Sequence, residues 1–419
     1  MKKIKIYFAA LIAAFAVTMG ALPVAAEQNT ANGFNMPEYY VETALENEIG
    51  KEKYFTAYNA IKSGVENFES KIRLGTEIDR NEIWMIFNSY RSDHPEHFWL
   101  NPVTLPFGTL DADGAIESFI VPEYFFTKEQ MSAETEKINA AADELLKGIT
   151  PSMPEFERER LLHDRLAKSI TYDLNEKYAH TAYGALVNGR AVCDGYTQAF
   201  QYLLQRVGIQ SFMVTGTGKG GNHAWNIVRI DGRYYNVDLT WDDQERDTFY
   251  AYFNITDERI KEDHAFDTTV YKMPECISTD ANYFAVYGGI FNEFSADDLG
   301  ALIKTNGKKL HIYITGDMKE FQKDFEKNFV NMLTAAGINS VAECVYSPLG
   351  REWIITVILP GDANCDGVID IRDIINMKIS LSEGIEDINK YWYLNLNADN
   401  KINSADLTQL RKMLLEIEN

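Results

Sequence analysis

Three residues of this chain have the types, order and local settings that covalent chemistry needs: Cys193, His223 and Asp238, spaced 30 and 15 residues apart. Behind Cys193, the residues Tyr196, Ala199, Phe200, Leu203, Leu204 and Val207 recur at helical spacing, and Gly208 closes the run. That pattern predicts a buried amphipathic helix with Cys193 in its first turn. Unpaired N–H groups and the positive end of the helix dipole stabilise a thiolate at such a position, and the thiolate is the nucleophilic form. His223 opens HAWNIVRI, whose alternation suits a strand. Asp231-Gly232 predicts a two-residue turn, and RYYNVDLTW returns as a second strand carrying Asp238. With the turn centred on 231 and 232, position 223 lies opposite about 240, two residues from Asp238. An aspartate there holds the imidazole in the tautomer that accepts a thiol proton. Alone, a cysteine at a helix start or a histidine before a strand is usually structural. The helix-then-hairpin arrangement of all three points to a Cys-His-Asp triad.

The segments VCDGYTQAF, HAWN and YYNVDLTWDD resemble, in order and spacing, the core of the transglutaminase-like superfamily over about residues 155–260. The resemblance implies a papain-like α+β fold and acyl transfer through a thioester on Cys193. It makes His223 general base and acid, Asp238 its orienting partner, and backbone N–H groups near Cys193 part of an oxyanion hole. The superfamily includes crosslinkers, deamidases, peptidases and members without activity. This chain keeps all three triad residues.

The elements that position these residues belong to a chain of 419 residues, long enough for two to four domains. A net charge of −22 argues against nucleic acid and anionic membrane surfaces as partners. Residues 1–26 read as a secretory signal: Lys2, Lys3 and Lys5, an apolar run from Tyr7 to Val17, and Val24-Ala25-Ala26 at a small-residue cleavage site. No later stretch has the roughly 18 apolar residues of a membrane span, so the mature protein is expected to be secreted. Cys193 must stay free to act. A Cys276–Cys344 bridge is one arrangement of the other thiols, and three separate thiols at Cys276, Cys344 and Cys365 is the expected one.

Residues 27–150 are expected to form an accessory α+β region. Tyr54, Tyr58, Ile61, Val65, Phe68 and Ile72 make a helical stripe, Asp79 to Tyr90 a second helix, and Thr127 with Gln130 a capping box opening a helix to about Leu146. His94 and His97 suggest a metal pair, but Pro95 lies between them and no third ligand follows, so no metal is expected there. The catalytic domain is expected over 151–279. Within it, His163 and Asp164 are neighbours on a helix and point apart, so His163 is read as structural. The run Thr217-Gly218-Lys219-Gly220-Gly221 lacks the phosphate-loop spacing and is read as a mobile loop beside His223. Residues 280–359 alternate strand (YFAVY), helix, strand, helix and two strands, a small α+β accessory module.

Residues 360–419 contain an internal repeat. DANCDGVIDIRDIINMKISL is echoed 33 residues later by NLNADNKINSADLTQLRKMLL. Each copy is a loop of about 12 residues entering a helix, with oxygen ligands at the alternating positions that calcium loops use. The first offers Asp362, Asn364, Asp366, the Val368 carbonyl, Asp370 and Asp373, with Gly367 at the sharp turn. The second offers Asn395, Asn397, Asp399, the Lys401 carbonyl, Asn403 and Asp406. It carries two carboxylates against four in the first, so it should bind calcium more weakly. Asn400 stands where the first loop has glycine and tolerates the left-handed turn. This duplicated module resembles a type I dockerin, a small all-α calcium-binding domain. That resemblance implies a cohesin module of a scaffoldin as partner, in cellulosome-type complexes that degrade polysaccharides. It places the cohesin contacts at Ile371 and Arg372 in the first copy and Ser404 and Ala405 in the second.

Together these features describe a secreted α+β thiol enzyme acting on a protein or peptide substrate, with no cofactor in its catalytic core. Whether water or an amine resolves the thioester decides between hydrolase, deamidase and crosslinker, with a lean toward hydrolysis. A second reading is a non-catalytic binding subunit for protein or carbohydrate on the same scaffold.

Overall fold

A computed structural model describes residues 51–112, 115–244, 247–267, 273–338, 343–385 and 391–417; the segment 1–26, expected to be a secretory signal, lies outside the described residues. These residues fall into two compact units, 51–248 with 252–281, and 249–251 with 282–417. Both mix helices with strands, so the chain is α+β.

The first unit opens with α1 (Lys51–Glu66), which buries Tyr54, Tyr58, Ile61 and Val65. The stripe expected to stay helical through Ile72 breaks earlier. Phe68 takes a left-handed φ of 59°, and Ile72 starts β1 (Ile72–Arg73). Next, α2 (Arg80–Asp93) opens with a capping box, in which the Asp79 side chain accepts the Glu82 N–H and the Glu82 side chain accepts the Asp79 N–H. β2 (Phe107–Ala112) and β3 (Ala115–Ile120) complete a small antiparallel sheet in the order β1-β3-β2. The helix expected from the Thr127–Gln130 box is α3 (Met131–Leu146). It starts after that box, because Gln130 folds back to accept the Thr127 N–H at 2.8 Å and forms a turn.

The second half of this unit carries the triad. α4 (Glu155–Ala167) leads to β4 (Thr171–Tyr172), α5 (Ala182–Asn188), β5 (Arg190–Ala191) and α6 (Cys193–Arg206). β4 and β5 pair in parallel immediately before Cys193. β6 (Ser211–Gly218), β7 (Gly221–Ile230) and β8 (Arg233–Val237) follow, then α7 (Leu239–Asp242), α8 (Asp257–Ile260) and β9 (His264–Phe266). The four strands form an antiparallel sheet in the order β8-β7-β6-β9, with α6 packed on β6 and β7. Both turns flanking β7 are two-residue hairpins with left-handed backbone at both positions. Asp231 and Gly232 have φ of 48° and 82°, and Lys219 and Gly220 have 48° and 84°. That conformation matches the strand twist and is the favoured tight hairpin. The glycine-rich run is therefore not the expected loop: Thr217 and Gly218 end β6, and Gly221 starts β7.

In the other unit, YFAVY is α9 (Tyr283–Tyr287) rather than a strand. Five apolar residues fit either state, and the ends decide. The Asn282 side chain accepts the Phe284 and Ala285 N–H groups, and Gly288 closes the helix at φ 73°. After β10 (Ile290–Phe291) come α10 (Ala296–Asn306), β11 (Lys309–Ile314), α11 (Met318–Ala335), β12 (Glu343–Leu349) and β13 (Glu352–Ile358). The sheet order is β10-β11-β13-β12, and its core gathers Leu299, Ile312, Phe321, Phe325 and Trp353. α12 (Ile371–Glu383) and α13 (Ser404–Ile417) then pack on each other around Ile374, Met377, Leu394 and Leu410. All four cysteines are free thiols, so Cys276 and Cys344 are not bridged. No described helix is long and apolar enough to cross a membrane.

Candidate active site

Cys193 is the first residue of α6, and the cap position, Val192, offers no side chain to the first turn. The N–H groups there are left to whatever the thiol binds. Three contacts fix that turn. Asp194 accepts from Arg91 of α2 at 2.6 Å and meets His180 Nδ1 at 3.3 Å. Burial would raise the Asp194 carboxyl, but these two partners hold it far below the usual range. Gly195 sits against the backbone of 179–181, where an added Cβ would lie 2.2 Å from the Ala179 oxygen. Tyr196 donates its hydroxyl to Asp243 at 2.7 Å. Tyr172, on β4, stands half exposed beside the thiol, its hydroxyl at the Cys193 backbone N–H.

β7 supplies His223, and each neighbour in HAWN has a positioning contact. Ala224 is fully buried. The Trp225 indole donates to Asn236 on β8 at 3.1 Å. Asn226 donates to the Thr197 carbonyl of α6 at 3.1 Å, tying strand to helix. The register pairs Asn226 with Val237 as the hairpin arithmetic required, but the ladder ends there: the expected second strand stops before Asp238, whose side chain instead caps α7. Asp238 follows β8, is fully buried, and lies 2.7 Å from His223 Nε2 through its Oδ2. The Cys193 thiol is the other group that acts on the His223 ring. Burial would lower the His223 pKa, but Asp238 and Cys193 outweigh it and push it up to about 10. The structure thus brings Cys193, His223 and Asp238 together.

Two features escaped the sequence. Gly218 faces the site: an added Cβ would lie 2.8 Å from the Trp241 ring and 3.2 Å from His223. A second histidine, His264 on β9, also reaches Asp238 Oδ2, at 3.1 Å. Nothing in the spacing of a three-residue strand beyond β8 announced it. His163 does not point away from Asp164 as expected, because its ring turns back to meet that carboxylate. It is fully buried, 3.2 Å from Asp242 and 3.3 Å from Asp164, and these carboxylates outweigh burial and raise its pKa to about 9.

The pair His94 and His97 does have a third donor beside it, Glu96, with one ligand atom of each within 4.8 Å of the others. Three of the four ring nitrogens are hydrogen-bonded. His94 meets Glu96 through Nδ1 at 2.7 Å and the Tyr58 hydroxyl through Nε2 at 3.1 Å, while His97 Nδ1 meets the Tyr90 hydroxyl at 2.5 Å. A hydrogen-bonded cluster accounts for them.

The two C-terminal loops share one wiring. Asp373 accepts the Asn364 and Asp370 N–H groups at 3.2 and 2.7 Å, and Asp406 accepts those of Asn397 and Asn403 at 3.2 and 2.9 Å. Asn364 and Asn397 each accept the N–H two residues on at 3.0 Å. Gly367 and Asn400 both turn left-handed, at φ 81° and 59°.

Residues 139–239 match the transglutaminase-like superfamily, and residues 360–415 match the type I dockerin domain. The chain carries a transglutaminase-like domain and a type I dockerin. Among curated proteins it is similar to kyphoscoliosis peptidase of Homo sapiens and of Mus musculus, 27% identical over 148 residues in each case. That stretch is 31% of this chain, which spans only 22% of the length of the curated relatives it matches. Similar solved structures include a TGase, with TM-score 0.25 and 15% identity over 39% of this chain and 48% of that one. Another is described as a candidate cysteine protease from Cytophaga hutchinsonii, with TM-score 0.24 and 10% identity over 40% of this chain and 70% of that one.

Type I dockerins bind calcium, and the dockerin loops here fit that ion. Every ligand-position side chain is a hard oxygen donor. Asn395 Oδ1, at position 1 of the second loop, is buried with no hydrogen-bond partner. In the first loop, burial and the nearby Asp373 and Asp366 carboxylates push Asp362 up to about 6, a crowding of negative charge that a cation would relieve. Arg372 meets Asp366 and Asp370, each at 2.7 Å. Ile371 is 64% exposed and continues along α12 into Ile375 and Ile379, 52% and 47% exposed. This apolar line at every fourth residue extends the docking residues expected from sequence. Ser404 and Ala405, at the matching place in α13, offer no such line.

Proposed function

We propose that the chain is an extracellular thiol enzyme that acts on amide bonds of proteins, carried on a cohesin-bearing scaffold by its dockerin. The observation supporting this most strongly is His223 held 2.7 Å from the buried Asp238, with its ring also under the influence of the Cys193 thiol at the start of α6. His223, carrying its proton through neutral pH, pairs with a Cys193 thiolate. The sulfur attacks a carboxamide or peptide carbonyl, and the oxyanion lies toward the Cys193 N–H and the Tyr172 hydroxyl. His223 then gives its proton to the leaving ammonia or amine and afterwards activates the molecule that resolves the thioester. Asp238 keeps the ring oriented throughout. A lean toward hydrolysis accords with the peptidase name of the curated relative.

In the dockerin, Asp362, Asn364, Asp366, Val368, Asp370 and Asp373 would hold one calcium ion, and Asn395, Asn397, Asp399, Lys401, Asn403 and Asp406 a second, weaker one. Calcium would neutralise the converging carboxylates and fix each loop against its helix. The apolar line of α12 is the face offered to cohesin, with Arg372 at its start.

The test is mass spectrometry of a mixed protein substrate incubated with the full-length protein, with and without a primary amine. New chain termini identify a peptidase, glutamine-to-glutamate conversion a deamidase, and amine adducts on glutamine a crosslinker. Cys193→Ala should abolish whichever appears. Products that persist in Cys193→Ala would overturn the proposal.

A further inference from the structure

The histidine that the triad does not use, His264, lies at its centre. β9 lines up on β6 from the side opposite β7, with His264 beside Gly218 and Phe266 beside Gly216, itself opposite His223. Glycines at 216 and 218 leave the sheet face open, and Trp225, Trp241, His223 and His264 fill it. The His264 ring centre is 4.2 Å from that of Trp241, 5.1 Å from Trp225 and 5.3 Å from His223. Its side chain is fully buried.

The polar contacts of His264 are specific. Nε2 lies 3.1 Å from Asp238 Oδ2, the same oxygen that meets His223 Nε2 at 2.7 Å. Nδ1 lies 2.7 Å from Asp263 Oδ1, and the other oxygen of Asp263 accepts the Tyr252 hydroxyl at 2.5 Å. Asp238 Oδ1 accepts the Thr240 and Trp241 N–H groups at 3.1 and 3.3 Å. An ionised carboxylate only accepts, so the ring nitrogen facing Asp238 is the donor of that contact. Asp238 is then a buried carboxylate with four donors, two of them imidazoles. Lys219 over the Trp241 ring and Arg259 over the Tyr252 ring are the cations nearest to this line in the contacts described.

We propose that His264 is a positioning residue for the thiol chemistry. Held by Asp263, it donates to Asp238, keeps that carboxylate ionised and in one rotamer, and so fixes the ring and tautomer of His223. This inference rests on the reading that Cys193, His223 and Asp238 act together. The order of the line is Tyr252, Asp263, His264, Asp238, His223, Cys193. A purely structural histidine would serve packing alone, and phenylalanine would replace it in this aromatic setting without changing the reactivity of the thiol.

The experiment measures the rate of Cys193 carbamidomethylation by iodoacetamide from pH 5 to 10 in the full-length protein, read by peptide mass spectrometry, with melting temperature followed in parallel. His264→Phe keeps the aromatic packing and removes the donor. It should slow labelling at pH 7 by about tenfold, a small part of the hundredfold or more that general-base transfer supplies, and should change the shape of the pH profile. His264→Gln keeps an N–H toward Asp238 and should return the rate to within about threefold of the starting protein. Asp263→Ala, at a partly exposed position, should slow labelling by about threefold, and covers the case in which His264→Phe does not fold. A folded His264→Phe, or Asp263→Ala, with an unchanged rate and profile overturns the role of His264 while leaving the triad standing. Cys193 labelling no faster than the other three cysteines overturns both.

Discussion

His223 decides the pH behaviour of the site. Its folded pKa of about 10 lies above the ordinary value of 6.5, because Asp238 and Cys193 outweigh its burial. A group raised on folding stabilises the folded state fully below its unfolded pKa and loses that contribution as pH rises through the folded one. The His223 pairing should therefore stabilise the protein fully below about pH 6.5 and fade as pH passes about 10. Turnover of an amide substrate needs the same proton for the departing amine, so kcat/KM should hold to about pH 9 and descend near 10. A pH–rate profile checks this, and a descending limb between pH 6 and 7 would contradict it. The other thiols behave differently. Cys276 is fully buried, and burial together with Asp257 raises its thiol far above the usual range. At pH 7 an alkylating reagent should modify Cys193 well before Cys276, and His223→Ala should slow the labelling of Cys193.

At the scale of elements, the sheet and α6 hold the triad through contacts that can be broken singly. Gly218→Ala would push a methyl into Trp241 and His223. It should cost about 1–3 kcal/mol by overpacking and slow Cys193 labelling more than a comparable change far from the site. Urea titration and labelling on one sample separate the two effects. Asp242→Asn leaves the buried His163 facing a neutral partner and should cost about 3–5 kcal/mol. Much of this was legible in the sequence, for physical reasons. Helical spacing behind Cys193 and a two-residue turn at Asp231-Gly232 are local signals, and a hairpin register follows from arithmetic once the turn is known. The dockerin was legible because its loop and helix occur twice. What stayed hidden depends on distant chain segments. Arg91 meets Asp194 across 103 positions, and His264 meets Asp238 only because β9 lines up on the far side of β6. Neither periodicity nor spacing carries that information. The YFAVY helix was hidden for a different reason, since its side-chain cap outweighs a composition that suits a strand.

At the scale of the molecule, the chain joins a transglutaminase-like domain to a dockerin with a helical fold of its own, built around Ile374, Met377 and Leu410. Calcium should stabilise only the dockerin, by about 2.7 kcal/mol per site at a free concentration one hundred times its Kd. Chelation should lower a dockerin melting transition and abolish cohesin binding while leaving the rate of Cys193 labelling unchanged. Calorimetry with and without chelator reads the first. An equal shift of every transition would contradict it. Ile375→Asp, in the exposed line of α12, should weaken cohesin binding without altering calcium affinity. The central claim concerns Cys193 itself, and the most direct measurement traps its acyl intermediate. The full-length protein is mixed with a peptide ester as acyl donor, quenched in acid, and analysed by intact mass and peptide mapping. The account predicts one acyl group, located on Cys193, absent in Cys193→Ala and discharged when water or amine is given time to react. No adduct, or one spread over Cys276, Cys344 and Cys365 as well, would contradict it.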